Sequence, residues 1–175
     1  MNLDKYKMIF WDFDGVIKET VLVKTDAFVE LFKPFGNDVC EKIRLHHIEN
    51  GGMSRYDKIP LYLNWSNIYP SSKQVNEMCN QFGRIVKNKV INSQWVPGVK
   101  DFLYKHKDKK IYVLVSATPQ HELEVICDAL KITYLFSKIY GAPVTKSNAI
   151  KKTLFDYDIL PTESLMIGDS QADID

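Results

Sequence analysis

Cysteine is scarce in this chain of 175 residues, with only Cys40, Cys79 and Cys127, far apart and without a CxxC pair. That spacing excludes a disulfide framework and a cysteine zinc site, and fits reduced thiols in a cytoplasmic protein. No run approaches the ~18 apolar residues of a membrane-spanning helix, and the first residues lack a signal-peptide pattern. Excess charge of either sign is also missing: the net charge is +1, so no broad basic surface advertises nucleic acid. The densest basic run, Lys105, Lys107, Lys109 and Lys110, precedes an apolar strand and reads as a solvated helix end. Repeats and low-complexity tracts are absent. The expectation is a soluble, cytoplasmic globular protein with no nucleic-acid or membrane partner, 45% hydrophobic and 26% charged, large enough for one good core.

What is present starts at Met8-Ile9-Phe10-Trp11, a buried strand that ends in Asp12-Phe13-Asp14-Gly15. Alternation along an extended chain sends Asp12 and Asp14 the same way and Phe13 into the core, and Gly15 permits a sharp turn. Two such carboxylates repel and need a cation, a shared proton or both. The plainer alternative is a strand-end turn, because Asp and Gly favour turns. Three further segments bear on the choice. A second apolar strand, Ile111 to Val115, ends in Ser116-Ala117-Thr118-Pro119; Gly141 to Lys146 opens a helix with a lysine; and Leu165 to Gly168 is a strand that ends in Asp169, with Asp173 four residues on. Ligands of open parallel α/β sheets bind at the carboxyl ends of strands, where these loops could converge.

Between Ile17 and Trp95 the pattern turns to amphipathic helices. Leu22, Phe28, Val29 and Phe32 form one face, stopped near Pro34 and Gly36; Val39, Ile43, Leu45 and Ile48 form another, ended by Asn50-Gly51-Gly52. A third helix or extended turn carries Ile59, Leu61 and Leu63, with Pro60 a warning about where it starts, and Ser71-Ser72 caps a longer one through Val86. After Pro97, strands and helices alternate, which predicts an α/β fold: a Rossmann-like three-layer core around a parallel sheet. The domain expectation is a catalytic core of residues 1–17 and 96–175 with a helical cap of residues 18–95.

The ordered set DxDG, Ser116, Lys146 and Asp169 to Asp173 resembles the haloacid dehalogenase superfamily, whose four motifs are DxDx, Ser/Thr, Lys and GDxxxD. The branch implied is the β-phosphoglucomutase and phosphoglycolate phosphatase one, with a small cap that closes over the site. The resemblance implies Asp12 as nucleophile and Asp14 as general acid and base. It implies phosphoryl binding by Ser116, the Ala117 N–H and Lys146. Mg²⁺ would be held by Asp12, Asp169 and the Asp14 carbonyl, with Asp173 behind them orienting Lys146 or a metal-bound water. Oxygen donors suit Mg²⁺, and no His or Cys stands in the motifs to suggest zinc. Against these roles stand plainer ones: Ser116 as a turn or cap residue beside Thr118, the likelier cap; Asp173 as a helix-start acid; Lys146 as an ordinary surface lysine.

Gly52-Met53-Ser54-Arg55 resembles the family's substrate-specificity loop, which implies Arg55 gripping a distal anionic group; the alternative is Ser54 as an N-cap with Arg55 exposed. Asp14 points to a phosphatase or mutase, since dehalogenases lack that acid. The mutases place a histidine where Lys24 stands, which favours hydrolysis. His46 and His47 read as cap residues with at least one on the outer face. The expected activity is Mg²⁺-dependent hydrolysis of a small phosphorylated metabolite. A sugar phosphomutase and a non-catalytic binding module on the same fold are the alternatives. Relatives continue past the second acid cluster with a helix and a strand, so the sequence ending at Asp175 reads as a core cut short.

Overall fold

The computed structural model describes residue 3 and residues 5–174. Met8–Trp11 (β1) is apolar at every position and buried at every position, as a central parallel strand requires. Its neighbours are Ile111–Pro119 (β2) and Ser164–Ile167 (β4), and Lys138–Ala142 (β3) flanks β2. The order is β3-β2-β1-β4, and every pairing is parallel. The register sets Trp11 beside Leu114 and Ile167, so residues that follow these three positions emerge together at one sheet edge. The β2–β3 register shifts after Val115, carrying Pro119 opposite Ala142.

Helices cover both faces. Met8, Phe10, Val113 and Val115 pack on Ala149 of α7 (Lys146–Asp156) and on Ile159. On the opposite face Ile9, Trp11, Tyr112 and Leu114 meet Leu103 of α5 (Val99–His106) and Leu123, Ile126 and Cys127 of α6 (Gln120–Ala129). This is the three-layer α/β core expected from the strand–helix alternation.

Four helices lie between β1 and β2 in the chain: α1 (Val21–Phe32), α2 (Asn37–Glu49), α3 (Arg55–Trp65) and α4 (Ser72–Asn92). Ser71 caps α4 through a reciprocal hydrogen-bond pair with Gln74. The helices close on an aromatic nucleus in which Phe28 lies 4.1 Å from Phe82 and 5.4 Å from Tyr62, ring centre to ring centre. Three local expectations change. Leu22, Leu45 and Ile48 are exposed; the inward face of α2 is Cys40, Ile43 and His47, because the Phe28 ring and Lys58 receive His47. Pro60 lies inside α3 instead of starting it, carried by burial of Ile59, Tyr62 and Leu63. Finally, α6 has Pro119 at its N-cap with no side-chain cap bond, since Thr118 is turned elsewhere.

The insertion leaves and re-enters the core through paired backbone. Val96 N–H donates to the Ile17 carbonyl (3.1 Å) and Glu19 N–H to that of Gln94 (2.9 Å), and Lys18 bridges to Trp95. A second fastening is farther out. The Arg55 guanidinium makes a two-pronged bond to Glu122 of α6 (2.9 and 2.7 Å) above the Phe82 ring, 4.6 Å from its centre. Arg55 is buried and Glu122 nearly so, so each charge relies on the other. Glu122→Ala would strand the guanidinium, and we expect it to cost about 3–5 kcal/mol in urea unfolding. Arg55→Met combined with Glu122→Ala should recover much of that loss.

Candidate active site

Backbone geometry brings the acids together. Asp12 continues β1, its N–H bonded to the Ile167 carbonyl (2.9 Å), and its own Oδ1 accepts from the Phe13 N–H (2.6 Å). Phe13 is fully buried, so the alternation aims Asp12 and Asp14 to the other side. At Gly15 the chain turns with φ +72°, and a Cβ there would stand 1.9 Å from Asp169 Oδ2. Glycine is therefore required twice, for the turn and for the approach of the loop after β4.

Lys146 opens α7 next to its N-cap Thr145, and its Nζ donates to Asp12 Oδ2 (2.7 Å) and to Asp173 Oδ1. Asp173 Oδ2 in turn accepts from the Ser170 N–H (3.0 Å) and hydroxyl (2.7 Å). Asp14 belongs to a separate group: Thr20 donates to Oδ1 (2.6 Å), Lys24 to Oδ2 (2.6 Å), and Lys24 also to Thr118 Oγ1 (2.9 Å). Oxygens of Asp12, Asp169 and Asp173 all lie within 4.8 Å of one another.

Charge decides what this arrangement can hold. Four carboxylates, of Asp12, Asp14, Asp169 and Asp173, face two ammonium groups, of Lys24 and Lys146. Among the described residues no ion pair reaches Asp169, leaving two negative charges unmatched. Burial, reinforced by Asp14 and Asp173 and opposed by Lys146, pushes Asp12 up to about 7. Asp169 is raised by desolvation and by Asp173. Burial also opposes the charge on Asp14, but Lys24 and Thr20 outweigh it and hold the carboxyl below its ordinary range. Lys146 stays above its ordinary value: its acid partners overcome desolvation. An all-oxygen donor set with two surplus charges suits a hard divalent cation.

Of the residues singled out in the sequence, Asp12, Asp14, Lys146, Asp169 and Asp173 meet at one sheet edge. Ser116 and Ala117 line the cavity beside Lys146; the Ser116 hydroxyl accepts from the Thr118 N–H (3.1 Å). Arg55 is not among them. Ser54 is the N-cap of α3, as its alternative reading had it, yet Arg55 is buried against Glu122 and lines neither the acid cleft nor the adjoining cavity. Thr20, Lys24 and Thr118, which fasten Asp14, carried no motif signal of their own, though Lys24 marked a departure from the mutase pattern.

The cleft between the acids and the insertion has room for about one water (≈ 20 Å³). It opens past Gly52, Ala117 and Lys146 into a cavity of ≈ 500 Å³ walled by Met53, Tyr56, Asp57 and the 142–147 segment. Above the acids sits a buried pair, Lys58 Nζ at 2.6 Å from His47 Nδ1. His46 bonds Tyr62 (3.0 Å) and is half-buried, so neither histidine is solvated on the outer face. Desolvation, with Lys24 adding to it, lowers Lys58 to about 7; desolvation and the Lys58 charge lower His47 to about 3.

The haloacid dehalogenase-like hydrolase family matches residues 9–175, and the chain belongs to that family. Among solved structures it is similar to a β-phosphoglucomutase from Clostridium difficile, at 21% identity and TM-score 0.77, over 97% of this chain and 78% of that one. It is also similar to a predicted phosphoglycolate phosphatase from Haemophilus somnus (19%, TM-score 0.73, 97% and 80%). A haloacid dehalogenase-like family protein from Streptococcus pneumoniae is a third neighbour (19%, TM-score 0.69, 97% and 79%). At these identities the likeness is one of fold. No curated protein matches the chain.

The lowered Lys58 value has a consequence for stability. Between pH 7 and 10.5 the unfolded chain carries a proton on Lys58 that the folded chain has shed, so this residue's contribution to stability rises with pH there. The unfolding free energy of the wild type minus that of Lys58→Met should increase across this window, by up to ~1.4 kcal/mol per pH unit. A flat difference would show that Lys58 stays charged in the fold.

Proposed function

We propose that the chain is a Mg²⁺-dependent phosphatase that hydrolyses a small phosphorylated metabolite through an aspartyl-phosphate on Asp12. The observation that carries this reading is the pairing of Asp12 with Lys146 beside an uncompensated acid cluster, with Asp14 held apart as an ionised base. Mg²⁺, held by Asp12, Asp169 and the Asp14 carbonyl, would supply the positive charge that keeps Asp12 ionised and offsets the phosphate. Asp173 positions Lys146, which neutralises the transferring group as a point charge.

In the first step an Asp12 oxygen bonds to phosphorus as the ester P–O bond breaks. A proton passes from the Lys24 ammonium through Asp14 to the departing oxygen, leaving Asp14 ionised and Lys24 neutral. Water then attacks the phosphoaspartate, Asp14 receives its proton and returns it to Lys24, and the Asp12–phosphorus bond breaks to release inorganic phosphate. Ser116 and the Ala117 N–H contribute donors to the phosphoryl oxygens. The one-water cleft is smaller than a phosphoryl group, so entry requires the helical insertion, residues 18–95, to move against the core as a cap. Lys24 at the position of the mutase histidine favours release of phosphate over its return to a sugar. Three buried, unpaired cysteines accord with a reducing cytoplasm, and no helix among the described residues is long and apolar enough to cross a membrane.

A panel of phosphorylated metabolites assayed for phosphate release with Mg²⁺ tests this. Release should be abolished by EDTA and reduced at least ~10³-fold in Asp12→Asn, which keeps the shape of the side chain but cannot form the acyl-phosphate. Mg²⁺-dependent release by Asp12→Asn near the wild-type rate would remove Asp12 as nucleophile.

A further inference from the structure

The wall that the helical insertion presents to the acids is formed by Val21, Lys24, His47, Gly51 and Gly52. Val21 is apolar and the two glycines have no side chain. Lys24 is already engaged by Asp14 and Thr118. His47 is different: it is 96% buried by exposure (4% accessible), its Nδ1 is held by Lys58, and its Nε2 has no protein partner among the described residues. Nε2 is not among the fully buried polar atoms that lack a partner, so it stays accessible on a ring that lines the cleft, where a ligand oxygen can meet it.

The ring is also held in place. Phe28 packs against it at 4.9 Å between ring centres, and fully buried Lys58 reaches across from α3 to α2. Below about pH 7 Lys58 is an ammonium and can only donate, so Nδ1 is the acceptor and the neutral ring carries its proton on Nε2. Of the two groups Lys58 has the higher proton affinity, which agrees with that assignment. The result is one N–H donor on a fixed ring that lines the same cleft as Asp12 and Asp14.

We propose that His47 is a specificity-determining residue, whose Nε2–H donates to an oxygen of the substrate's alcohol part close to the phosphoester, with Lys58 as its positioning residue. The inference rests on the phosphatase reading above and names the substrate class: phosphate monoesters that carry a hydroxyl or carbonyl oxygen beside the ester carbon, as polyol and sugar phosphates do. An alkyl phosphate without that oxygen would leave the donor unpaired in a closed cleft and be disfavoured.

Glycerol 3-phosphate and propyl phosphate, which differ in the hydroxyls, make the comparison. With Mg²⁺ present, His47→Ala should lower kcat/KM for glycerol 3-phosphate about ten-fold, and that for propyl phosphate by less than three-fold. His47→Gln should restore much of the discrimination, because its amide nitrogen falls near the place of the ring Nε2. Lys58→Met should lose discrimination too, its loss of kcat/KM on glycerol 3-phosphate exceeding that on propyl phosphate. A second readout does not need turnover: in ¹⁵N-histidine-labelled protein the His47 Nε2 resonance should report the Nε2–H tautomer and shift on addition of glycerol 3-phosphate but not of propyl phosphate. Shifts without phosphate release would retain the His47 contact and defeat the phosphatase reading. Turnover of both esters with equal losses in His47→Ala, and no selective shift, would overturn the His47 proposal and leave the phosphatase standing. Absence of both turnover and shift would overturn both.

Discussion

The arrangement depends on a charge imbalance. Asp12, Asp14, Asp169 and Asp173 converge on one sheet edge, and among the described residues only Lys24 and Lys146 form ion pairs with them. At short range and low dielectric, that imbalance would be severely unfavourable if the site were sealed and empty of cations. The parallel register that places Trp11 beside Leu114 and Ile167 is what creates it, and glycine at position 15 is what lets Asp169 come so near. On the proposed reading, the fold maintains a site whose electrostatics a bound cation would complete.

The two lysines divide the acids into two functional pairs. Burial raises the proton affinity of Asp12 further than Lys146 can lower it, so the proposed nucleophile is one that a cation would hold ionised. Lys24 does the reverse for Asp14, holding it ionised with an ammonium proton within hydrogen-bond distance. Lys24 comes from α1, the first helix of the insertion, so the state of Asp14 is tied to where the insertion sits. The Arg55–Glu122 bond fastens α3, another helix of the insertion, to α6. In the proposed mechanism, chemistry and closure would be coupled through the contacts of this helical unit.

Local sequence carried the core because its signals are short-range. Unbroken apolar runs such as Met8 to Trp11 mark buried strands, and the acids at their ends follow from strand alternation, which aims Asp12 and Asp14 together. The helical insertion was less legible. In α2 the inward face runs through His47, a residue whose burial depends on Lys58 eleven positions away, while the apolar Leu45 and Ile48 face solvent. Arg55 misled for a related reason: its motif position is beside the cleft, but its partner Glu122 lies on a helix 67 residues later. Thr20 and Thr118 became site residues only when two distant segments closed around Asp14. Long-range pairing of polar groups is what hydrophobic periodicity does not encode.

The central claim, that the acid cluster is completed by a divalent cation, is most directly tested by titrating chelator-stripped protein with MgCl₂ in a calorimeter, beside Asp169→Asn. The account predicts saturable binding of one Mg²⁺ per chain near pH 7, with proton release from Asp12 visible as a dependence of the heat on buffer, and at least ~10-fold weaker binding in the variant. Unsaturable heats in the wild type, or equal affinity in Asp169→Asn, would contradict it.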